Sequence, residues 1–201
     1  MNDILHPNSY NLSGARSILV DRHGQPLTVD DDTLDMVIIE HEHYKTHEGD
    51  HYFIKAVQDV TGAGTLQYFS FVTPDTDTRI HARAKMTAES EFWLGIYEGG
   101  SVSAPGTQIH GLNNNRGSLN IAQLLAFDSP TVSDDGFLMW SDQTGTGGKP
   151  TGVAPEFGYE IVARRNTRYI FKAVKEAAGT HYMSFDFWWY EQDHASQFEG
   201  H

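Results

Sequence analysis

Four histidines fall within one short stretch: His41, His43, His47 and His51. Glu40, Glu42, Glu48 and Asp50 are interleaved with them. Imidazole nitrogens ligate zinc, copper and nickel, and they titrate near neutral pH. Read as a strand, residues 36–44 put His41 and His43 on one face and Glu40 and Glu42 on the other. Lys45 to Asp50 then reads as a turn around Gly49, with His51 opening a second strand. On this hairpin the four histidines are candidate ligands for a cupin-like, metal-dependent enzyme. The same alternation also describes packed, hydrogen-bonded histidines on a sheet face or at a subunit interface. The latter is the expectation, with no metal and no cofactor assigned.

Other chemistry has less support. The chain lacks a Gly-x-Ser-x-Gly elbow, a His-Glu-x-x-His pair and a P-loop. It has 0 cysteines, which excludes disulfides and thiolate sites. Asp30, Asp31 and Asp32 lack the ligand spacing of an EF-hand loop and read as a solvated turn. Asp134 and Asp135 also read as solvated. No catalytic residue is nominated, and the chain is expected not to be an enzyme. Trp93, Tyr97, Trp188 and Tyr190 could stack on sugar rings if they line an outer sheet face, but such residues also serve as core or interface. This leaves a carbohydrate-binding module as an alternative reading.

The net charge of −13, from 27 acidic and 14 basic residues, opposes binding to nucleic acid or to an anionic membrane. Arg79, Arg83 and Lys85, with Arg164, Arg165 and Arg168, suit ion pairs between proteins. No apolar run approaches the length of a membrane span, and residues 1–3 do not open a signal peptide.

Strands must position these residues. Aromatics are abundant, at 11 Phe, 9 Tyr and 4 Trp, and 19 Gly supply turns. Residues 51–57 and 66–72 read as strands, the second apolar on both faces and therefore central. Residues 79–87 alternate, with Ile80, Ala82, Ala84 and Met86 pointing inward. Residues 91–98 are expected to return as their antiparallel partner. Residues 99–118 form a long Gly/Asn-rich loop, in which Asn113, Asn114, Asn115 and Arg116 join His41, His43, Arg79 and Arg83 as interface candidates. Residues 118–125 are a short helix or a strand, and residues 137–140 a short strand. Residues 157–163 and 167–174 are strands joined by a tight turn at 164–166. Residues 181–191 place Met183, Phe185, Phe187 and Trp189 on one face. The expected fold is an all-β antiparallel sandwich or jelly roll over residues 35–191. A polar arm (1–34) precedes it, and a polar tail (192–201) follows.

Three features together resemble a known group. They are Glu42-His43 with His47-Glu48-Gly49 and Tyr52-Phe53; Phe69, Phe71, Val72, Thr73, Pro74 and Asp75; and a Glu98 strand end leading into a Gly/Asn-rich loop to Gly117. The chain from about 36 to 190 is similar to small structural proteins of tailed bacteriophages, the capsid decoration or cement proteins. The resemblance implies a β-sandwich that forms a homotrimer on the outer capsid surface, made in the host cytoplasm. It would bind the major capsid protein and bridge capsid subunits. It brings no catalytic residues.

Overall fold

The computed structural model describes residues 41–144 and 156–193. The expected arm (1–34) and the strand start at 36–40 lie outside them. Among the described residues there is one helix, α1 (His41–Glu48), and thirteen strands. No helix among them is long and apolar enough to cross a membrane.

Two antiparallel sheets form the fold. The first contains β1 (His51–Thr61), β3 (Thr78–Ala88), β7 (Leu112–Asn113), β11 (Glu156–Ala163) and β13 (Thr180–Asp193), in the order β11-β3-β13-β1-β7. The second contains β2 (Leu66–Val72), β4 (Phe92–Glu98), β6 (Thr107–Ile109), β8 (Leu125–Asp128), β10 (Phe137–Thr144) and β12 (Arg168–Lys175), in the order β10-β4-β12-β2-β8-β6. A separate ribbon pairs β5 (Ser101–Ala104) with β9 (Thr131–Asp134). The all-β antiparallel sandwich expected from the sequence is therefore present.

Alternation explains the core. Ile80, Ala82, Ala84 and Met86 are buried from β3, and Met183, Phe185, Phe187 and Trp189 from β13. The second sheet meets them with Phe69, Phe71, Tyr169 and Phe171. Rings interdigitate across the two sheets: Phe69 lies 4.1 Å from Phe185, Phe171 4.5 Å from Phe185, and Phe71 4.7 Å from Phe187, centroid to centroid. Burial of such rings is the main stabilising term of the fold. As expected, β2 is central, between β12 and β8.

Several expectations are corrected. Residues 41–44 are not the first strand of a hairpin but the first turn of α1. Strand β1 continues to Thr61, so the loop expected from residue 58 shrinks to residues 62–65. Strands β3 and β4 are not partners: β3 pairs with β13 and β11, while β4 pairs with β12 and β10. Likewise the turn at 164–166 links β11 in one sheet to β12 in the other. Alternation dictates which side chains face the core, but both sheets present the same pattern to it. Residues 118–124 are neither helix nor strand, and the strand near 137 extends to Thr144. The tail expected from residue 192 begins as β13, which ends at Asp193. Residues 194–201 lie outside the described residues.

Candidate functional site

The histidine stretch forms a helix because its ends are supplied with what a short helix lacks. Glu42 sits in the first turn and Lys45 and His47 in the last, matching the helix dipole. Gly49 follows with φ +81°, where its N donates to Thr46 O (3.1 Å) and Asp50 N donates to Lys45 O (3.0 Å). This pair of bonds is a Schellman C-cap, and glycine adopts the required left-handed backbone without strain. A β-carbon at Gly49 would also run into the Ser118 side chain.

The asparagine loop completes the cap. The last carbonyls of a helix have no partners within it. Here the Asn113 amide donates to Gly49 O (2.6 Å), Asn115 to His47 O (3.1 Å) and Asn120 to Glu48 O (3.4 Å). Asn120 also donates to Asp50 Oδ1 (3.0 Å), and Asn114 N donates to His51 O (2.9 Å). Asn113 Oδ1 accepts from Asn115 N (2.9 Å), shaping the loop internally. Three asparagines assigned to an interface are thus engaged within their own chain. Arg116 is exposed, its guanidinium reaching Asn113 O (3.4 Å).

The far end of this loop is tied by a carboxylate. Glu191 is buried, and it accepts from Gln123 N (2.9 Å), Leu124 N (3.1 Å) and Trp189 Nε1 (3.1 Å). Burial pushes its pKa up, and these three donors act in the opposite direction.

Beneath α1, on the outer face of the first sheet, two carboxylate–histidine pairs flank Arg83. Glu42 Oε1 lies 3.3 Å from His51 Nε2, and Glu42 Oε2 lies 3.7 Å from Arg83. Glu160 Oε1 accepts from His81 Nδ1 (2.6 Å) and from the Tyr190 hydroxyl (2.8 Å), and Glu160 Oε2 lies 3.9 Å from Arg83. Tyr190 stacks on His81, centroids 4.5 Å apart. Strand register creates this order, since His51 pairs with Tyr190 and Tyr190 with His81 across β1, β13 and β3.

His51 is 6% exposed. Its Nδ1 meets the Asn114 amide and the Thr46 hydroxyl (3.3 Å), and its Nε2 faces Glu42. Burial lowers its pKa, and Glu42 offsets this only in part, so the ring is neutral at pH 7. Burial alone would raise the pKa of Glu160, but His81, Tyr190 and Arg83 outweigh it and hold the carboxyl low. The hollow between these groups has a volume of about 10 Å³, room for a single water at most. The cluster holds charges and a docked helix.

The four candidate metal ligands separate. His43 and His47 meet on the exposed face of α1, Nε2 to Nε2 2.9 Å. His41 is on the same helix and exposed, while His51 is turned into the polar cluster. Among the described residues no group of three or more His, Cys, Asp or Glu could hold a metal ion. Arg83 joins the polar cluster, and Arg79 is exposed opposite Gln192. Arg164 pairs with Glu98 (3.1 Å), and Arg165 with Asp75 (2.8 Å) and Asp77 (2.9 Å), so both serve intramolecular ion pairs. Asp135, read as solvated, pairs with Lys172 at 2.5 Å.

The aromatic candidates divide in the same way. Tyr190 is buried in the cluster, and Trp188 is half-buried beside it. Trp93 and Tyr97 lie on the outer face of the second sheet, centroids 6.4 Å apart. Gly95 separates them, and a β-carbon there would strike the Trp93 ring (2.5 Å). Sequence reading missed Glu191, Glu160, His81 and Asn120. Their partners lie 30 to 109 residues away in the chain for the side-chain bonds of Glu160, His81 and Asn120, a separation that no local spacing reveals.

No protein-family model matches the chain, and neither a curated protein nor a solved structure matches it.

Proposed function

We propose that the protein is a virion structural protein of the capsid decoration type. It would bind the outer capsid surface, bridge neighbouring capsid subunits and stabilise the shell. The observation that carries this reading is the placement of exposed apolar side chains at two places, the β10 edge of the second sheet and the loop held against the rim of the first. At the first, β10 opens with Phe137 (74% exposed), Leu138 and Met139. At the second, the loop entering β8 carries Leu119 (94%) and Ile121 (86%). A bridge needs two contact surfaces, and exposed apolar groups mark such surfaces. The β10 edge, which pairs on one side only among the described residues and carries a bulge at Met139, suits contacts between sister subunits in a homotrimer.

Function then follows from mass action. A protein that binds the mature shell and not its ruptured form stabilises the mature shell. The test compares shells with and without the protein during heating and at low ionic strength. Decorated shells are expected to survive to higher temperature, and equal survival would contradict the reading.

One observation favours a second reading, a carbohydrate-binding module. Trp93 and Tyr97 flank the Gly95 floor on an outer sheet face, with Lys172 Nζ 5.9 Å from the Tyr97 ring. Glycan binding that disappears in Trp93→Ala would support that reading, and a blank glycan array would remove it.

A further inference from the structure

The outer face of α1 carries two exposed imidazoles that the polar cluster does not use. His43 and His47 are four residues apart, which sets them side by side on the helix. Their Nε2 atoms lie 2.9 Å from each other. The ring centroids are 4.6 Å apart and the ring planes 77° from parallel. Two rings meeting end to end along one line would stand farther apart, so these nitrogens meet at an angle. A hydrogen bond prefers the straight approach. Two donors to a single ion require the angle.

Bond lengths set the bite of such a pair. Two imidazole nitrogens, each about 2.05 Å from one ion, are about 2.9 Å apart at a right angle and roughly 3.3–3.4 Å apart at a tetrahedral one. The observed 2.9 Å is the right-angle value. Copper(II) and nickel(II) favour square-planar or tetragonal nitrogen sites, whereas zinc favours tetrahedral ones. The same four-residue spacing on one helix face is the metal-binding core of His-Glu-x-x-His sites.

The backbone beneath holds this bite in place. The Gly49 cap closes the helix, Asn115 holds His47 O, and the Thr46 hydroxyl donates to Glu42 O (3.2 Å). The last turn of a helix and a net charge of −13 both favour a cation. Lys45, the ammonium of the same helix, is drawn to Glu48 (2.6 Å) and Asp50 (3.6 Å).

We propose that His43 and His47 form a surface chelate for one divalent transition-metal ion, copper(II) first and nickel(II) next. The site does not depend on the decoration reading. Among the described residues no third ligating side chain joins the pair, so water fills the remaining positions. Both rings bind as neutral imidazoles through Nε2. The proton held between the two nitrogens without metal moves to Nδ1 of its own ring, so the rings stay neutral.

The test titrates the full chain with copper, nickel or zinc chloride by calorimetry and reads the copper-loaded protein by electron paramagnetic resonance. One high-affinity copper per chain is expected, with two equatorial nitrogens in the spectrum, and nickel is expected to bind more tightly than zinc. His43→Ala and His47→Ala change exposed residues and are expected to keep the wild-type Tm without metal. Each is expected to lower copper affinity about a hundredfold, because the second contact of a chelate is intramolecular. His110→Ala removes an exposed histidine elsewhere and is expected to bind copper as the wild type does. Copper is expected to raise the Tm of the wild type and not of His43→Ala, since the folded helix presents both nitrogens together. Copper bound equally by the wild type and both variants overturns the chelate. So does a spectrum with one nitrogen, or one copper shared by two chains. Zinc bound more tightly than nickel overturns the right-angle assignment.

Discussion

The sandwich interior and the clasp around α1 are held by different forces. Between the sheets, Phe69, Phe71, Phe171, Phe185 and Phe187 interlock ring against ring. Around α1, the same chain uses amides, carboxylates and histidines to fasten a helix and a loop to the rim of the first sheet. Apolar packing is non-directional and tolerates relaxation, whereas the clasp depends on individual donors meeting individual carbonyls. The interior therefore sets how stable the protein is. The clasp sets where one surface loop is held, which is what a docking protein needs from its edge.

Substitutions at matched depth sharpen this contrast. Phe171→Ala removes a ring that is 1% exposed and in contact with four others, and it is expected to cost about 3–5 kcal/mol in chemical denaturation. Loss of less than about 1 kcal/mol would show that the rings are not the main support. Asn113→Ala leaves Gly49 O and Asn115 N without their partner and is expected to cost about 1–3 kcal/mol. Its signature is local: hydrogen exchange should accelerate at residues 113–120 while β12 and β13 stay protected. Uniform acceleration would erase the distinction between the two regions.

A pH effect near neutrality is expected from the clasp through His51. The folded pKa of His51 lies below its unfolded value of about 6.5. The folded state therefore binds fewer protons there, and stability is fully present above about pH 6.5. It is expected to decline as pH falls from that value toward the lower folded pKa, and His51→Gln should flatten the decline. An unchanged slope in that variant would remove His51 from the account. The smallest effect is expected on the open surface. Lys55 pairs with Asp186 at 3.0 Å, but the lysine side chain is 57% exposed, so Lys55→Ala should change stability by less than about 1 kcal/mol.

The interior was legible in the sequence because its rule is local. Alternation at 79–87 and 181–191 identified the inward residues without knowledge of their partners. Strand pairing was not legible: β3 and β4 are adjacent in the chain and carry the same inward pattern, yet they belong to opposite sheets. The clasp was misread for a related reason. Histidine and glutamate in alternation resemble a strand face, while the competing signal was small: one glycine after a cationic turn, at Lys45, His47 and Gly49. That signal describes a helix C-cap as well as a hairpin turn. What decides between them is the amides of Asn113, Asn115 and Asn120, which arrive from 64 to 72 residues away. The polar cluster drew His51 from the metal candidates and Arg83 from the interface candidates, and Glu160 and Tyr190 entered it only through the register of β11, β3 and β13.

The clasp matters to function only if the surface it presents meets a shell. The most direct measurement is co-sedimentation of the purified protein with empty shells built from a tailed-bacteriophage capsid protein. Saturable binding to the shell exterior, at a fixed number of copies per capsid subunit, is the predicted result. Protein that remains in the supernatant at every shell concentration would contradict the account.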